Sequence, residues 1–278
     1  MNDAGRRRAV FLDVDGTYSV DGGVPRAHED AVRAARRNGH LVFLATGRPI
    51  SLLTPELLRV GFDGLVLGAG CHVVVGDTVL ADRTFPPDLA SRVLSVLDAH
   101  DVAYVLESSD GMFGPPGVEA RLRHVIDTQL RPIGIEHGGA HEVLEALLVR
   151  EDLAECSFGK VIYFDSAVPG DVLAAAIGDE AYVERSSIPG MGGSAGEIAM
   201  AGVDKSVGLR AVVEHLSLRR EDLVAVGDGP NDVGMLEYAG LGVAVEGSDP
   251  TVLAVADRVV PGPRESGVAT LFADLGLV

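Results

Sequence analysis

Two carboxylates lie two residues apart in Asp13-Val14-Asp15-Gly16-Thr17, directly after the apolar run Ala9-Val10-Phe11-Leu12. A short apolar run of this kind predicts a buried strand, so both acids would lie at its carboxyl end beside a tight turn. A carboxylate with a reference pKa of about 3.9 is ionised at pH 7, so Asp13 could attack phosphorus without a base. Asp15 could protonate a leaving oxygen and later take a proton from water. Taken alone, the segment could also be an ordinary turn rich in Asp and Gly.

A hydroxyl and a glycine amide come together in Thr46-Gly47-Arg48, after a second apolar run. Such groups can bind a phosphoryl oxygen at the point where negative charge develops. Thr-Gly is also common in ordinary turns, so this segment is informative only together with the others.

Lysine is rare in this chain, because only Lys160 and Lys205 occur among its 23 basic residues. Lys205 follows Asp204, which is placed to cap a helix. An ammonium at this position could contact both the nucleophile and the transferring phosphate, whereas a lone lysine is usually a solvated surface charge. Since arginine serves at most other basic positions, we expect a specific role for Lys205.

A further acidic segment is Gly227-Asp228-Gly229-Pro230-Asn231-Asp232, between an apolar run and a predicted helix. Asp228 and Asp232 are spaced to lie on the same side of the chain. Mg²⁺ prefers hard oxygen ligands and keeps several waters, so one or two carboxylates and a substrate phosphate suffice to bind it. A formal net charge of −18 would repel a phosphorylated substrate unless a cation neutralised the site locally. The segment therefore predicts a magnesium site, with an Asx-rich turn as the structural alternative.

The elements that must position these segments alternate between strands and helices at both ends of the chain, which indicates an α/β fold with a parallel sheet. The carboxyl ends of such strands share one edge, so all four segments should meet there. The predicted strands of this core are 8–12, 40–45, 64–67, 223–226, 241–245 and 258–260, and its predicted helices are 28–38, 51–60, 205–216 and 232–239.

The middle of the chain has a different pattern, with predicted helices at 87–100 and 118–128 and strands at 103–106, 160–164 and 181–185. Pro86-Pro87 and the glycine-rich stretch from Gly190 to Gly196 border this region. We therefore expect an α/β core formed by residues 1–83 and 187–278, with an inserted α+β cap at 84–186. A cap with hinges at these borders would close over the site and select small substrates.

The four segments in this order resemble the haloacid dehalogenase-like (HAD) phosphatases, and most closely the Cof-type subgroup, whose cap is inserted between the second and third motifs. The endings Ala256-Asp257-Arg258-Val259-Val260 and Glu265-Ser266-Gly267-Val268-Ala269 also resemble that subgroup. The resemblance implies a Rossmann-like HAD core and hydrolysis of a small phosphate monoester, such as a sugar phosphate or a phosphorylated cofactor, through an aspartyl phosphate.

The resemblance also implies a role for each site residue. Asp13 would be the nucleophile and Asp15 the acid/base. Substrate phosphate would be bound by Thr46, Gly47, Arg48, Lys205 and Asn231. Magnesium would be held by Asp13, Asp15 (through its backbone carbonyl) and Asp228, with Asn231 and Asp232 supporting the metal or orienting Lys205.

Three other functions share part of this pattern. A phosphomutase would use the same aspartyl phosphate but return the phosphate to its substrate. A receiver-like signalling module also phosphorylates an aspartate, although a second acid such as Asp15 favours turnover over storage. A sugar-phosphate sensor would lack the chemistry, whereas every catalytic position here is filled.

Composition narrows the partners and the location. The acidic surface disfavours nucleic acid and anionic lipid, both of which bind basic patches. Nothing near 18 consecutive apolar residues occurs, so no transmembrane helix is expected. Cys71 and Cys156 fit no metal or redox spacing, which indicates a cytoplasmic protein with reduced thiols. The sequence does not disclose the specific substrate or the oligomeric state.

Overall fold

The computed structural model describes residues 6–186 and 190–278, which form two compact units. The first unit comprises residues 6–48, Leu53–Ala81 and Asp204–Val278, and the second comprises Pro49–Leu52 and Asp82–Val203. Within these described ranges, none of the helices combines the length and the apolar character that crossing a membrane requires.

The elements alternate along most of the chain. The strands are β1 (Ala9–Leu12), β2 (Leu41–Ala45), β3 (Gly64–Leu67), β4 (His72–Val75), β5 (Thr78–Asp82), β6 (Ala103–Ser108), β7 (Gly111–Gly114), β8 (Leu147–Val149), β9 (Lys160–Phe164), β10 (Ala181–Arg185), β11 (Gly196–Met200), β12 (Leu223–Gly227), β13 (Leu241–Val245) and β14 (Arg258–Val260). The α-helices are α1 (Arg26–Arg37), α2 (Pro55–Leu58), α3 (Pro87–Ala99), α4 (Val118–Val125), α5 (Ala140–Ala146), α6 (Gly170–Ile177), α7 (Lys205–His215), α8 (Val233–Tyr238), α9 (Pro250–Val255) and α10 (Gly267–Asp274).

The first unit is built on an eight-stranded sheet with the order β14-β13-β12-β1-β2-β3-β4-β5. β1 lies in parallel between β12 and β2, with Phe11 opposite both Ala225 and Phe43. The sheet is parallel from β14 to β3, and β4 then pairs antiparallel with β3. The predicted α/β core with a parallel sheet is therefore confirmed.

Both faces of this sheet are covered, which is why its central strands are apolar at every position. Alternate residues of β1, such as Val10 and Leu12, join an apolar cluster with α1 and α10. The intervening Ala9 and Phe11 join a second cluster with α7, α8 and α9. β1 is therefore held rigidly from both sides, and so is the first residue after it.

The second unit contains a six-stranded sheet with the order β10-β11-β9-β6-β7-β8. β11 pairs antiparallel with both β10 and β9, so it belongs to this sheet. The unit therefore extends to Val203 and also includes Pro49–Leu52, beyond the predicted cap of 84–186. β11 has no alternating apolar pattern of its own and belongs to the unit through its pairing with β10 and β9. The predicted border at 190–196 lies within the described ranges, directly after the undescribed residues 187–189.

Candidate active site

The predicted site residues of the first unit follow the carboxyl ends of neighbouring strands. Asp13 follows β1 and Asp228 follows β12, while Thr46 follows β2. The backbone N–H of Asp13 continues the β1–β12 ladder by donating to Val226 O at 2.9 Å. Because β1 lies between the other two strands, these segments emerge side by side at one sheet edge.

Lys205 joins two carboxylates in the buried part of this edge. Its Nζ donates to Asp13 Oδ1 and to Asp232 Oδ1, each at 2.6 Å. All three residues are buried, with 7% of Asp13 and none of Lys205 or Asp232 exposed to solvent. The position at the start of α7 follows from Asp204, whose side chain caps the helix by accepting from Val207 N. Lys205 therefore supplies a fixed positive charge beside Asp13.

Asp232 is oriented by hydrogen bonds on both of its oxygens. Its Oδ1 accepts from Lys205, and its Oδ2 accepts from the backbone N–H groups of Asp228 and Gly229, each at 3.0 Å. This arrangement closes the turn after β12 and ties it to Lys205. Asp232 therefore orients the Lys205 side chain and the backbone of Asp228 and Gly229.

Asp228 is held against the loop that follows β1. Its Oδ1 accepts from Thr17 Oγ1 at 2.8 Å. Gly16 lies beside it so closely that a Cβ at this position would be 2.4 Å from Asp228 Oδ2. Thr17 and Gly16 were part of the predicted motif, but the sequence assigned neither a role. The Asp-x-Asp-Gly-Thr spacing contains the signal, since small and hydroxyl residues follow the second acid.

The acidic side chains converge in a manner that suits a divalent cation. Asp13, Asp228 and Asp232 each offer a carboxylate oxygen, and these oxygens all lie within 4.8 Å of one another. The hydrogen bond from Lys205 engages Oδ1 of Asp13, and the hydrogen bond from Thr17 engages Oδ1 of Asp228. Hard carboxylate oxygens at this density fit Mg²⁺.

The electrostatics of the cluster point to the same fit. Burial raises the pKa of the Asp13 carboxyl well above its usual range; Lys205 opposes this shift, and the charges of Asp232 and Asp228 add to it. Burial also raises the pKa of Asp228, against the hydrogen bond from Thr17. The pKa of Asp13 in the folded protein is therefore higher than the reference value of about 3.9 for an aspartate in water. A cation among these oxygens would favour their ionised forms.

Asp15 and Arg48 form a second pair outside the buried cluster. Arg48 Nε donates to Asp15 Oδ2 at 2.7 Å, and a terminal nitrogen donates to Oδ1 at 2.8 Å. The Asp15 side chain is 57% exposed, whereas that of Arg48 is only 15% exposed. Such a two-bond pair fixes the plane of the carboxylate. The side chain of Asp15 is thus separate from the three-carboxylate cluster.

The remaining predicted residues follow β2 and β12. Thr46 is buried, and its Oγ1 accepts from Arg48 N at 3.1 Å. This bond closes the turn that contains Gly47. Asn231 is exposed, and its Oδ1 lies over Gly229. Hydrogen bonds therefore join Asp13, Thr17, Lys205, Asp228 and Asp232 in one group and Asp15, Thr46 and Arg48 in another.

Comparisons with known proteins show the family and the fold of this chain. The sequence model of the haloacid dehalogenase-like hydrolases matches residues 10–272. The phosphoglycolate phosphatase of Methanopyrus kandleri is 40% identical over 270 residues, which cover 96% of each protein. Protein YkrA of Bacillus subtilis is 27% identical over 278 residues, 98% of each chain. A solved structure of the HAD subclass IIB sugar phosphatase BT4131 has the same fold, with a TM-score of 0.79 and 20% identity across 98% of this chain and 100% of that one.

Proposed function

We propose that this chain, which belongs to the haloacid dehalogenase-like hydrolases and is a phosphatase resembling their Cof-type subgroup, hydrolyses small phosphate monoesters through a phosphorylated Asp13. One feature supports this reaction most: a buried aspartate at a strand end, paired with a buried lysine and facing two further carboxylates. A buried cation on the nucleophile both holds its carboxylate and attracts a phosphate.

The reaction divides between the two groups of side chains. An oxygen of Asp13 attacks phosphorus, and the bond from phosphorus to the ester oxygen breaks. Asp15 gives its proton to the departing oxygen, which leaves as an alcohol. Water then attacks the phosphorus of the aspartyl phosphate, Asp15 takes the proton, and Asp13 is released with inorganic phosphate. Arg48 orients Asp15 for both proton transfers.

The donors of the site have complementary roles in the same reaction. Lys205 would neutralise charge on Asp13 and on the transferring phosphate, while Thr46, Gly47 and Asn231 would contact phosphoryl oxygens. Asp13, Asp228 and the backbone carbonyl of Asp15 would hold Mg²⁺, and Asp232 orients Lys205. When bound, the ion supplies positive charge that offsets the repulsion between the carboxylates and the incoming phosphate.

A small metabolite is the expected substrate. The formal net charge of −18 disfavours nucleic acids. Phosphoglycolate and sugar phosphates are the substrates named for two similar proteins. We therefore infer a phosphorylated sugar, sugar acid or cofactor as the substrate class. Neither Cys71 nor Cys156 forms a disulfide within the described residues, which supports our inference of a location in the reducing cytoplasm.

Replacement of the nucleophile tests the reaction. Asp13→Asn should keep the fold and lower phosphate release at least about a thousandfold, since a neutral amide cannot form the aspartyl phosphate. The measurement is phosphate release over a panel of sugar, sugar-acid, nucleotide and cofactor phosphates, with Mg²⁺ and with excess chelator. Asp77→Asn, at an exposed turn of the same unit, is the matched control and should be fully active. Undiminished release by Asp13→Asn, or in chelator, would refute the proposal.

A further inference from the structure

The loop after β1 is folded back on itself by its own backbone. Tyr18 N–H donates to Asp13 O at 3.1 Å, and Ser19 N–H donates to Val14 O at 2.7 Å. Gly16 N–H in turn donates to Ser19 O at 3.0 Å. We call Tyr18 and Ser19 the returning segment of this loop. Where this segment is held therefore determines the placement of Asp13 and of the residues up to Thr17.

His28, on helix α1, contacts this returning segment. It is fully buried, and its Nδ1 lies 2.9 Å from Tyr18 O. Its Nε2 lies 3.3 Å from Val268 N, near the start of α10. A carbonyl only accepts and an amide N–H only donates, so Nδ1 must carry the proton and Nε2 must be the acceptor. These two partners select one neutral tautomer, in agreement with burial, which lowers the pKa of His28.

The tyrosine that His28 contacts is positioned by its backbone and its ring. Tyr18 is fully buried. The centroid of its ring lies 6.2 Å from that of His28 and 5.6 Å from that of Phe62, and the Tyr18 and Phe62 rings are in an edge-to-face arrangement. Its hydroxyl is buried with no hydrogen-bond partner among the described residues. The polar contact that fixes Tyr18 from outside the loop is therefore the one that His28 makes with its carbonyl.

We propose that His28 is a positioning residue for the loop that carries Asp13 and Asp15, a role that rests on the proposed function of that loop. The imidazole ties Tyr18 O to α1 and, through Val268, to α10, and these two helices pack against each other on one face of the sheet. Because His28 is part of α1, its bond to Tyr18 O anchors the loop on that helix and keeps the carboxylates in place. A displacement of about 1 Å at such a site can cost a hundredfold in rate. The bond to Tyr18 should affect catalysis, whereas the bond to Val268 should affect stability alone.

Two substitutions separate these bonds. His28→Asn places an amide N–H near the position of Nδ1, so it keeps the donor to Tyr18 O and loses the acceptor for Val268. His28→Gln places an amide oxygen near the position of Nε2, so it keeps the acceptor and loses the donor. Both should lower the melting temperature. We expect kcat to fall about tenfold or more in His28→Gln with KM changed less than about threefold, and kcat of His28→Asn to stay within about threefold of the parent.

Several controls keep the outcomes distinct. Leu223→Ala removes buried packing at the start of β12, in the apolar cluster that contains no residue of the loop, so it should lower stability and leave kcat unchanged. If His28→Gln fails to fold, His28→Ala is measured with and without added imidazole, and recovery of kcat supports the proposal. Equal kcat in His28→Gln and the parent, equal losses in the Gln and Asn variants, or no recovery with imidazole would overturn it. An inactive parent protein would instead refute the proposed function.

Discussion

Both lysines of this chain are buried, and each lies between two carboxylates. Lys205 contacts Asp13 and Asp232, and Lys160 lies 2.8 Å from Glu197 Oε2 and 3.2 Å from Glu107 Oε2. Lys160 is therefore an internal ion-pairing residue of the second unit. Each group carries one more negative than positive charge when all members are ionised. Such an excess charge in a buried place is costly, and it makes one carboxylate hold its proton more tightly.

The stability of the second unit should depend on the ionisation of Glu107. Burial raises the pKa of Glu107 to about 7 from an ordinary value of 4.5, against the attraction of Lys160. The folded state therefore holds a proton that the unfolded state releases, so stability is full below pH 4.5 and falls as the pH rises toward 7. A shift of this size corresponds to at most about 3 kcal/mol.

Glu107→Gln should remove this pH dependence, because the amide has nothing to ionise. The melting temperature followed by circular dichroism at pH 5 and pH 8 should change less in the variant than in the parent. The variant should also be the more stable of the two at pH 8, since Lys160 retains Glu197. Glu119→Gln, on the exposed face of α4, is the control and should follow the parent. The same slope in all three proteins would contradict the assignment.

Arg48 can be tested as the residue that orients Asp15. Arg48→Lys keeps a charge but cannot form the two parallel bonds seen here, so Asp15 should lose its fixed orientation. The proton from Asp15 matters most for a poor leaving group, so kcat on an alkyl phosphate should fall about tenfold more than kcat on an aryl phosphate.

Asp15→Asn should show the same dependence on the leaving group, and Arg37→Lys, at an exposed position of α1, should show none. A uniform rise in KM for both substrates in Arg48→Lys would mean that Arg48 binds the substrate phosphate instead.

At the scale of elements, the loop between β1 and α1 depends on a glycine that leaves space for Asp228, a proposed metal ligand. Gly16 has φ of +81°, and a Cβ there would collide with Asp228 Oδ2. Gly22 in the same loop has φ of +77° with nothing within 4 Å of such a Cβ. Alanine at either site should cost about 1 kcal/mol or more in backbone strain. Alanine at Gly16 should in addition displace Asp228.

Gly16→Ala should therefore raise the Mg²⁺ concentration needed for half-maximal activity and lower kcat about a hundredfold. Gly22→Ala should lose comparable stability and keep both values. A titration of activity with Mg²⁺, together with melting temperatures, compares the two directly. Equal Mg²⁺ dependence in both variants would show that Gly16 serves the backbone alone.

Prediction from the sequence was most successful for elements that a short run of residues defines on its own. Strands β1, β2, β3, β12, β13 and β14 are short apolar runs, and the chemical motifs follow three of them. The predicted helix 51–60 is shorter in the structure, because Pro55 lacks an N–H and begins α2 after a cap by Thr54. The predicted helix 118–128 is α4 followed by a π-helical turn at Ile126–Leu130.

Elements completed by distant partners were missed. β11, Gly-Glu-Ile-Ala-Met, has no alternating pattern and is fixed by pairing with β9 and β10. The hairpin β4–β5 and the strands β7 and β8, each of five residues or fewer, were also overlooked. In the site, the pairing of Asp15 with Arg48 joins residues 33 positions apart. His28 has no motif around it, because its two partners are backbone atoms, one of them 240 residues away.

At the scale of the whole molecule, the division into two units predicts how the chain can be cut. The proposed catalytic residues all belong to the first unit, so the second has no chemical task and is proposed to select the substrate. Replacement of residues 83–202 by a short Gly/Ser linker removes the second sheet entirely and leaves the strands of the first sheet in place. Replacement of 84–186 alone would remove β9 and β10, the partners of β11, and would expose the buried Ile198.

The longer replacement should therefore yield a folded protein, and the shorter one should aggregate. The folded core should hydrolyse an aryl phosphate slowly, because it would lack the proposed cap that excludes water during the reaction. Its ranking of metabolite phosphates should collapse to near equality, since the residues that select among them would be gone. Phosphate release over the same substrate panel, with parent protein beside it, measures this. If the core kept the parent's ranking, specificity would lie in the first unit, and the second would need another role.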